Sequence, residues 1–253
     1  MLVTHDTLKI RDYKQVMYCP NCGSYTRIES DIDVRIGTPE FTQFTDIDCH
    51  YMVYAYCPSC GQMMVNIDPE IFDYIKYFND HGYETLYSCE SHFEKRLVVS
   101  KDNEGRATNM IKKFKYDGPY IIFISNGKRR PLDINQRFRL YKAIYDVGNN
   151  KEFDSFNVVW NFFYTDINPK PIEESDKDFL LQDYFKDKDT TMEKYPGIDF
   201  KVSIYGNHDF VESKPLDENL AWAKEQKYLF LKYLQQLAKK LEDLKKKEME
   251  EKI

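Results

Sequence analysis

The chain has 253 residues, of which 42% are hydrophobic, so it can bury the core of one large domain or of two smaller ones. Its formal net charge of −6 argues against a protein that simply coats nucleic acid. No apolar run approaches the roughly 20 residues that a membrane-spanning helix needs. The first residues also lack the basic start and apolar stretch of a secretory signal, so we expect a cytoplasmic protein without membrane contact.

Two five-residue runs near the N-terminus share one pattern, Cys-Pro-x-Cys-Gly, at residues 19–23 and 57–61. One tight turn in a C-x2-C pair supplies two thiolates, and two pairs supply the four ligands of a tetrahedral zinc ion. A disulfide pair, a redox C-x-x-C or merely buried cysteines are the alternatives, and the duplicated spacing favours metal over each of them. The sequence therefore predicts a structural Zn²⁺ site whose ligands are Cys19, Cys22, Cys57 and Cys60.

The residues between the two cysteine runs favour β-structure. Segments 23–37 and 47–56 are rich in β-forming residues and are separated by Gly37-Thr38-Pro39, which predicts a two-stranded ribbon. With the four cysteines in place, residues 16–67 resemble the zinc-ribbon family. The resemblance implies a small rigid β-module over residues 1–67, and it implies little about function because such modules occur in many assemblies.

A mixed α+β domain is predicted over residues 68–212. Asp68 and Pro69 form a typical helix start, and the apolar spacing that follows is helical until His81-Gly82. The other predicted elements are strands at 83–89, 120–125, 156–164 and 201–205, a helix at 134–147, and a short helix at 179–185 within a surface segment. The predicted fold class is therefore α+β.

The C-terminal region, residues 213–253, is predicted to be one long amphipathic helix, because neither Gly nor Pro occurs from Asp217 onward. An apolar seam recurs at steps of four and three residues. The seam is typical of a helix that lies on its own domain, and it also allows a homodimer through a zipper. Its members are Phe230, Leu234, Leu237, Leu241 and Leu244.

Positive charge is concentrated in the middle of the chain. Residues 95–142 carry 13 basic and 4 acidic side chains, whereas both flanking regions are net acidic. Such a segment is typical of a phosphate-facing surface, although the basic groups can equally pair with the acidic flanks. The candidate nucleic-acid-binding residues are Lys128, Arg129, Arg130, Arg137 and Arg139.

A second candidate site lies at Cys89-Glu90-Ser91-His92, directly after a predicted strand. The thiol of Cys89 and the imidazole of His92 lie on one loop and are candidate catalytic residues. They can form a second metal site only if Cys49, His50 or acidic groups converge on them. The alternative is a buried cysteine beside a polar turn, which we favour.

Three functional hypotheses follow. The first is a zinc-binding protein that binds RNA, or a nucleic acid–protein assembly, in preference to duplex DNA through residues 95–142. The second is an interaction or inhibitor protein that engages a nucleic-acid-handling protein through its acidic ends and C-terminal helix. A composition rich in Lys, Asn, Ile, Tyr and Asp would suit a phage or mobile-element gene. The third is an enzyme that uses the Cys89–His92 loop, and on balance we expect no enzyme.

Overall fold

The computed structural model describes residues 7–19, 21–35, 56–101, 107–127, 131–164, 198–209 and 214–251. These residues form helices and strands in an α+β fold, which confirms the predicted fold class. The chain divides into two compact units, and each unit is assembled from stretches that are separated in sequence. Unit 1 comprises Met1–Phe72, Ser91–Gly118 and His208–Glu225, and unit 2 comprises Asp73–Glu90, Pro119–Asn207 and Gln226–Ile253. This division differs from the continuous domains at 1–67, 68–212 and 213–253.

The first sheet of unit 1 has three antiparallel strands. Strand β1 (Thr7–Tyr18) pairs with β2 (Tyr25–Arg35) along one edge and with β3 (Val65–Ile67) along the other. The predicted strand at 23–37 is confirmed, but its partner β1 precedes the first cysteine run and was not predicted. A register shift between Ile10 and Tyr13 interrupts the alternation on which strand prediction depends. The other predicted ribbon strand, 47–56, lies outside the described residues except for Tyr56, which bridges to Met63.

Unit 1 also contains a β-hairpin of β5 (His92–Lys101) and β6 (Ala107–Asp117), which the sequence analysis did not predict. At the base of the hairpin, the Tyr116 ring meets Trp222 edge to face with the ring centroids 4.9 Å apart. Leu220 and Ala223 complete this small apolar cluster. Since an isolated two-stranded hairpin is marginally stable in water, this cluster supports the hairpin at its base.

Unit 2 is built on a four-stranded antiparallel sheet in the order β4-β7-β9-β8. The two central strands carry side chains that are fully buried, among them Ile121, Phe123, Phe200 and Val202. The strands predicted at 83–89, 120–125, 156–164 and 201–205 are all present, and the last of them starts three residues earlier. The bounds are Thr85–Cys89 for β4, Tyr120–Ile124 for β7, Asn157–Tyr164 for β8 and Ile198–Tyr205 for β9.

Helices α1 (Phe72–Asp80), α2 (Ile134–Gly148) and α3 (Leu216–Glu250) correspond to the predicted ones. Helix α1 begins four residues after Asp68, because residues 69–71 form a turn. Helix α2 begins with a reciprocal capping box between Asp133 and Gln136, which satisfies two free backbone N–H groups. The short helix predicted at 179–185 lies outside the described residues.

Four of the five residues in the apolar seam of α3 are buried. Phe230, Leu234 and Leu237 have no exposed surface, and Leu241 is 2% exposed. In unit 2 the Tyr233 ring on the same helix contacts Phe153 edge to face at 5.1 Å. These four side chains are therefore covered within the chain itself, whereas Leu244, the last residue of the seam, is partly exposed. The homodimer through this helix stays a prediction.

Candidate metal centre

The structure brings the four cysteines of the two repeated runs together. The Sγ atoms of Cys19 and Cys60 are 3.5 Å apart, those of Cys22 and Cys57 are also 3.5 Å apart, and all four lie within 4.8 Å of one another. A tetrahedral ion with metal–sulfur distances near 2.3 Å places its sulfurs about 3.8 Å apart. A disulfide would require about 2.05 Å, and the described cysteines are free thiols. The four cysteines can therefore hold a metal ion.

The two runs fold in the same way, which explains why the sequence repeats. The Gly23 N–H donates to the Cys19 carbonyl at 2.9 Å, and the Gly61 N–H donates to the Cys57 carbonyl at 2.8 Å. Each glycine has a positive φ, +76° and +71° respectively, which a residue with a Cβ rarely adopts. Each turn thus points two sulfurs of one C-x2-C pair at the same place.

Neighbouring groups prepare three of the thiols to become thiolates. The Ser24 hydroxyl, 3.1 Å from the Cys22 sulfur, lowers the pKa of that thiol, and a hydrogen bond from the Asn21 side chain lowers the pKa of Cys60. At Cys57 burial acts to raise the pKa, but backbone N–H groups outweigh it and the pKa is lowered. Metals bind the thiolate form, so these hydrogen bonds favour coordination.

Burial acts in the opposite direction at the fourth thiol. It raises the pKa of Cys19 to about 11. This thiol is packed with Met17 and Met64 in an apolar cluster that also includes Cys57. A positive ion at the centre would offset the cost of a buried thiolate, because a coordinating thiol is deprotonated outright. The burial therefore fits a closed site that holds the chain together.

The predicted basic residues do not form one described surface. Lys128, Arg129 and Arg130 lie outside the described residues. The Arg137 guanidinium pairs with the Asp199 carboxylate at 2.6 Å and donates to the Leu132 and Ile198 carbonyls, so it serves the interior of unit 2. Arg139 is 12% exposed, and its Nε lies 3.6 Å from the Glu248 carboxylate.

The candidate catalytic loop is divided between the two units. Cys89 ends β4 and is 7% exposed, which agrees with the alternative of a buried cysteine beside a polar turn. In unit 2 the adjacent Glu90 pairs with Lys227 at 2.6 Å. His92 begins β5, and its side chain, like Cys49 and His50, lies outside the described part.

No described helix is long and apolar enough to cross a bilayer. Comparisons with models of protein families, with curated proteins and with solved structures find no significant match to this chain. A function therefore has to be inferred from the residues themselves.

Proposed function

We propose that this chain is a zinc-binding protein that binds nucleic acid, RNA in preference to duplex DNA, through its basic central segment. The observation that carries the proposal is the composition of the β5–β6 hairpin. Its two strands contain six basic residues and two acidic ones. The basic residues are Lys95, Arg96, Lys101, Lys112, Lys113 and Lys115.

The strand register of the hairpin pairs two basic residues. Arg96 is paired with Lys113 in the β-ladder, and the next pair of positions on one side is Leu97 with Lys112. Like charges in directly opposed positions destabilise a β-sheet. A phosphate group bound between them would remove that repulsion, so the register suits a backbone-binding hairpin.

Zinc is the metal that we propose for the four cysteines. Four soft thiolates in a tetrahedral arrangement favour Zn²⁺ or an iron–sulfur cluster over hard cations such as Mg²⁺. The group draws two sulfurs from each of two tight turns, which is typical of structural zinc. With all four positions taken by sulfur, the ion would leave no open coordination position, so its role would be to stabilise unit 1.

RNA is favoured over duplex DNA because of the distribution of charge and aromatic residues. The whole chain is acidic, with a net charge of −6, so only a local surface can attract phosphates. The chain also contains 20 Tyr and 17 Phe residues, and unpaired bases stack on such rings. A local basic hairpin in an aromatic-rich protein suits a single strand with accessible bases.

The test is charge reversal at the opposed pair, in the double variant Arg96→Glu and Lys113→Glu. Binding of a fluorescent single-stranded RNA is measured by anisotropy at several salt concentrations. We expect the variant to lose most of its affinity and the salt dependence to become shallower, because phosphate contacts release counterions. The matched control is Lys151→Glu with Lys239→Glu, two exposed positions in unit 2 that carry the same change of charge. Equal losses in both double variants, or none in either, would refute the proposal.

A further inference from the structure

A cavity of about 360 Å³ lies in unit 2, lined by residues from α1, α2 and the last turns of α3. Its size falls in the range of small-molecule sites, which begins near 300 Å³. Its lining includes Tyr77, His81, Arg139, Lys245 and Lys246. Neither the metal centre nor the basic hairpin uses these residues.

One wall of the cavity is formed by two aromatic rings in contact, tilted against each other. The centroids of Tyr77 and His81 are 4.2 Å apart, and the ring planes are inclined by 31°. The Tyr77 hydroxyl donates to the Ala238 carbonyl at 3.2 Å, and the His81 Nδ1 lies 2.8 Å from the Tyr77 carbonyl. These contacts hold both rings in place, so the wall is ready to stack with a flat aromatic ligand.

The remaining lining is rich in cations. Arg139, Lys245 and Lys246 line the cavity together with a single carboxylate, Glu242, and Glu248 lies beside Arg139. The Arg139 Nε is buried and makes no hydrogen bond within the part of the chain that the structure describes. Its nearest charged partner, the Glu248 carboxylate, is 3.6 Å away, so an anionic oxygen bound in the cavity could supply the hydrogen bond that this pair does not make.

A second cavity of about 280 Å³ shares Arg139 with the first. It is also lined by an aromatic pair, Tyr141 and Tyr145, whose rings are stacked with centroids 6.0 Å apart and planes inclined by 19°. Lys142 adds a cation, and the two lining carboxylates are already paired, Asp146 with Lys240 at 2.8 Å and Glu248 with Arg139 at 3.6 Å. Two cavities with aromatic side chains in their linings therefore share one largely buried arginine, Arg139.

We propose that the larger cavity binds a nucleotide, with the base stacked against Tyr77 and His81 and the phosphate held by Arg139, Lys245 and Lys246. A nucleotide combines a flat base with a phosphate, and the cavity lining combines aromatic rings with cationic side chains. The inference rests on the proposed nucleic-acid binding, because it names the place where one nucleotide of a strand is held. A free nucleoside monophosphate carries the same base and phosphate as one nucleotide of a strand. Only a strand, however, could place a second nucleotide in the second cavity.

The experiment measures binding of AMP and UMP to the full chain by isothermal titration calorimetry, with adenosine and inorganic phosphate as separate probes. We expect AMP to bind more tightly than either of its parts. The variant Lys245→Glu with Lys246→Glu removes two exposed cations and should weaken AMP binding about tenfold or more. His81→Ala should weaken AMP while leaving inorganic phosphate unchanged. The control, Lys224→Glu with Lys239→Glu, changes two exposed lysines elsewhere on the same helix.

Binding of a uridylate hexamer tests whether the cavity holds a nucleotide of a strand or a free nucleotide. Hexamer binding much tighter than UMP binding indicates a strand, and equal affinities indicate a free nucleotide; the cavity is supported in both cases. The hairpin variant Arg96→Glu with Lys113→Glu should retain AMP binding, so failure of the hairpin proposal is separable from failure of this one. The inference is overturned if AMP binds no better than adenosine and phosphate, or if the Lys245 and Lys246 substitutions leave AMP affinity unchanged.

Discussion

A hydroxyl group without a hydrogen-bond partner is buried in unit 2. Tyr233 on α3 has no exposed surface, and its hydroxyl makes no hydrogen bond among the described residues. Burial raises the pKa of Tyr233 well above the value of about 10 in an unfolded chain. Above pH 10 the unfolded state therefore releases a proton that the folded state keeps, and the free energy of unfolding falls as the pH rises.

Replacing Tyr233 by Phe should remove this contribution. At pH 7 we expect a neutral or slightly stabilising effect, because the lost hydroxyl has no partner. Above pH 10 the free energy of unfolding should fall with pH less steeply than in the unsubstituted protein, by about 1.4 kcal/mol per pH unit. Urea denaturation at a series of pH values measures this slope. Tyr228→Phe, which removes a hydroxyl from a side chain 64% exposed on the same helix, should leave the pH profile unchanged. A strongly destabilised Tyr233→Phe at pH 7 would mean that the Tyr233 hydroxyl is hydrogen-bonded in the folded protein and would contradict the prediction.

The metal centre gives a second prediction for single residues. Cys57→Ser removes one of four converging sulfurs, and we expect the purified protein to fall from about one equivalent of zinc to almost none. Elemental analysis by mass spectrometry provides the measurement. Cys89→Ser is the control, because Cys89 belongs to unit 2 and lies outside the four-cysteine group. Equal metal content in the two variants would contradict the assigned ligands.

Among the elements, α3 contributes most visibly to the interior of unit 2. Leu237 has no exposed surface, so Leu237→Ala should lower the free energy of unfolding by about 2–5 kcal/mol. Met249→Ala, at a side chain that is 53% exposed, should change it little. Urea denaturation measures both values, and the midpoint should not depend on protein concentration. A concentration-dependent midpoint would instead support a zipper between two copies.

Elements whose signals are local were predictable from the sequence. The start of α2 depends on residues three positions apart, and each pair of metal ligands depends on a single turn. Strand β1 was missed because its register shift breaks the alternation. The hairpin was missed although Leu97-Val98-Val99, followed by a run containing Asp102, Asn103 and Gly105, is a recognisable strand and turn signal.

Local sequence signals could not predict contacts between distant parts of the chain. The charge of Arg137 was visible, but its partner Asp199 lies 62 positions away and turns a candidate phosphate ligand into part of the interior. The cavity at Arg139 likewise combines three helices that no spacing rule connects. Sequence patterns identify what a side chain can do, and packing decides whether it faces a partner within the fold or a ligand.

At the scale of the whole molecule, the metal ligands and most of the described buried apolar side chains belong to different units. All four cysteines lie in the first stretch of unit 1, Met1–Phe72. In unit 2 the core is formed by its own residues, including a Phe78–Phe123 contact at 5.1 Å and the buried seam of α3. We therefore expect the two units to differ in what stabilises them, with metal coordination contributing to unit 1 and apolar burial to unit 2.

Removal of the metal should therefore act on one unit. We expect a strong zinc chelator to expose the amides of β1, β2 and β3 to hydrogen exchange, because the ion would hold the two cysteine turns together and the cysteines pack in a small apolar cluster with Met17 and Met64. The amides of β7 and β9 should remain protected, since both strands are central in their sheet and carry fully buried side chains. Exchange followed by mass spectrometry, with the chelator presaturated with zinc as the control, resolves the two regions. If β7 and β9 lose protection at the same chelator concentration and at the same rate, the ion stabilises both units. The prediction that metal removal acts on unit 1 alone would then be wrong.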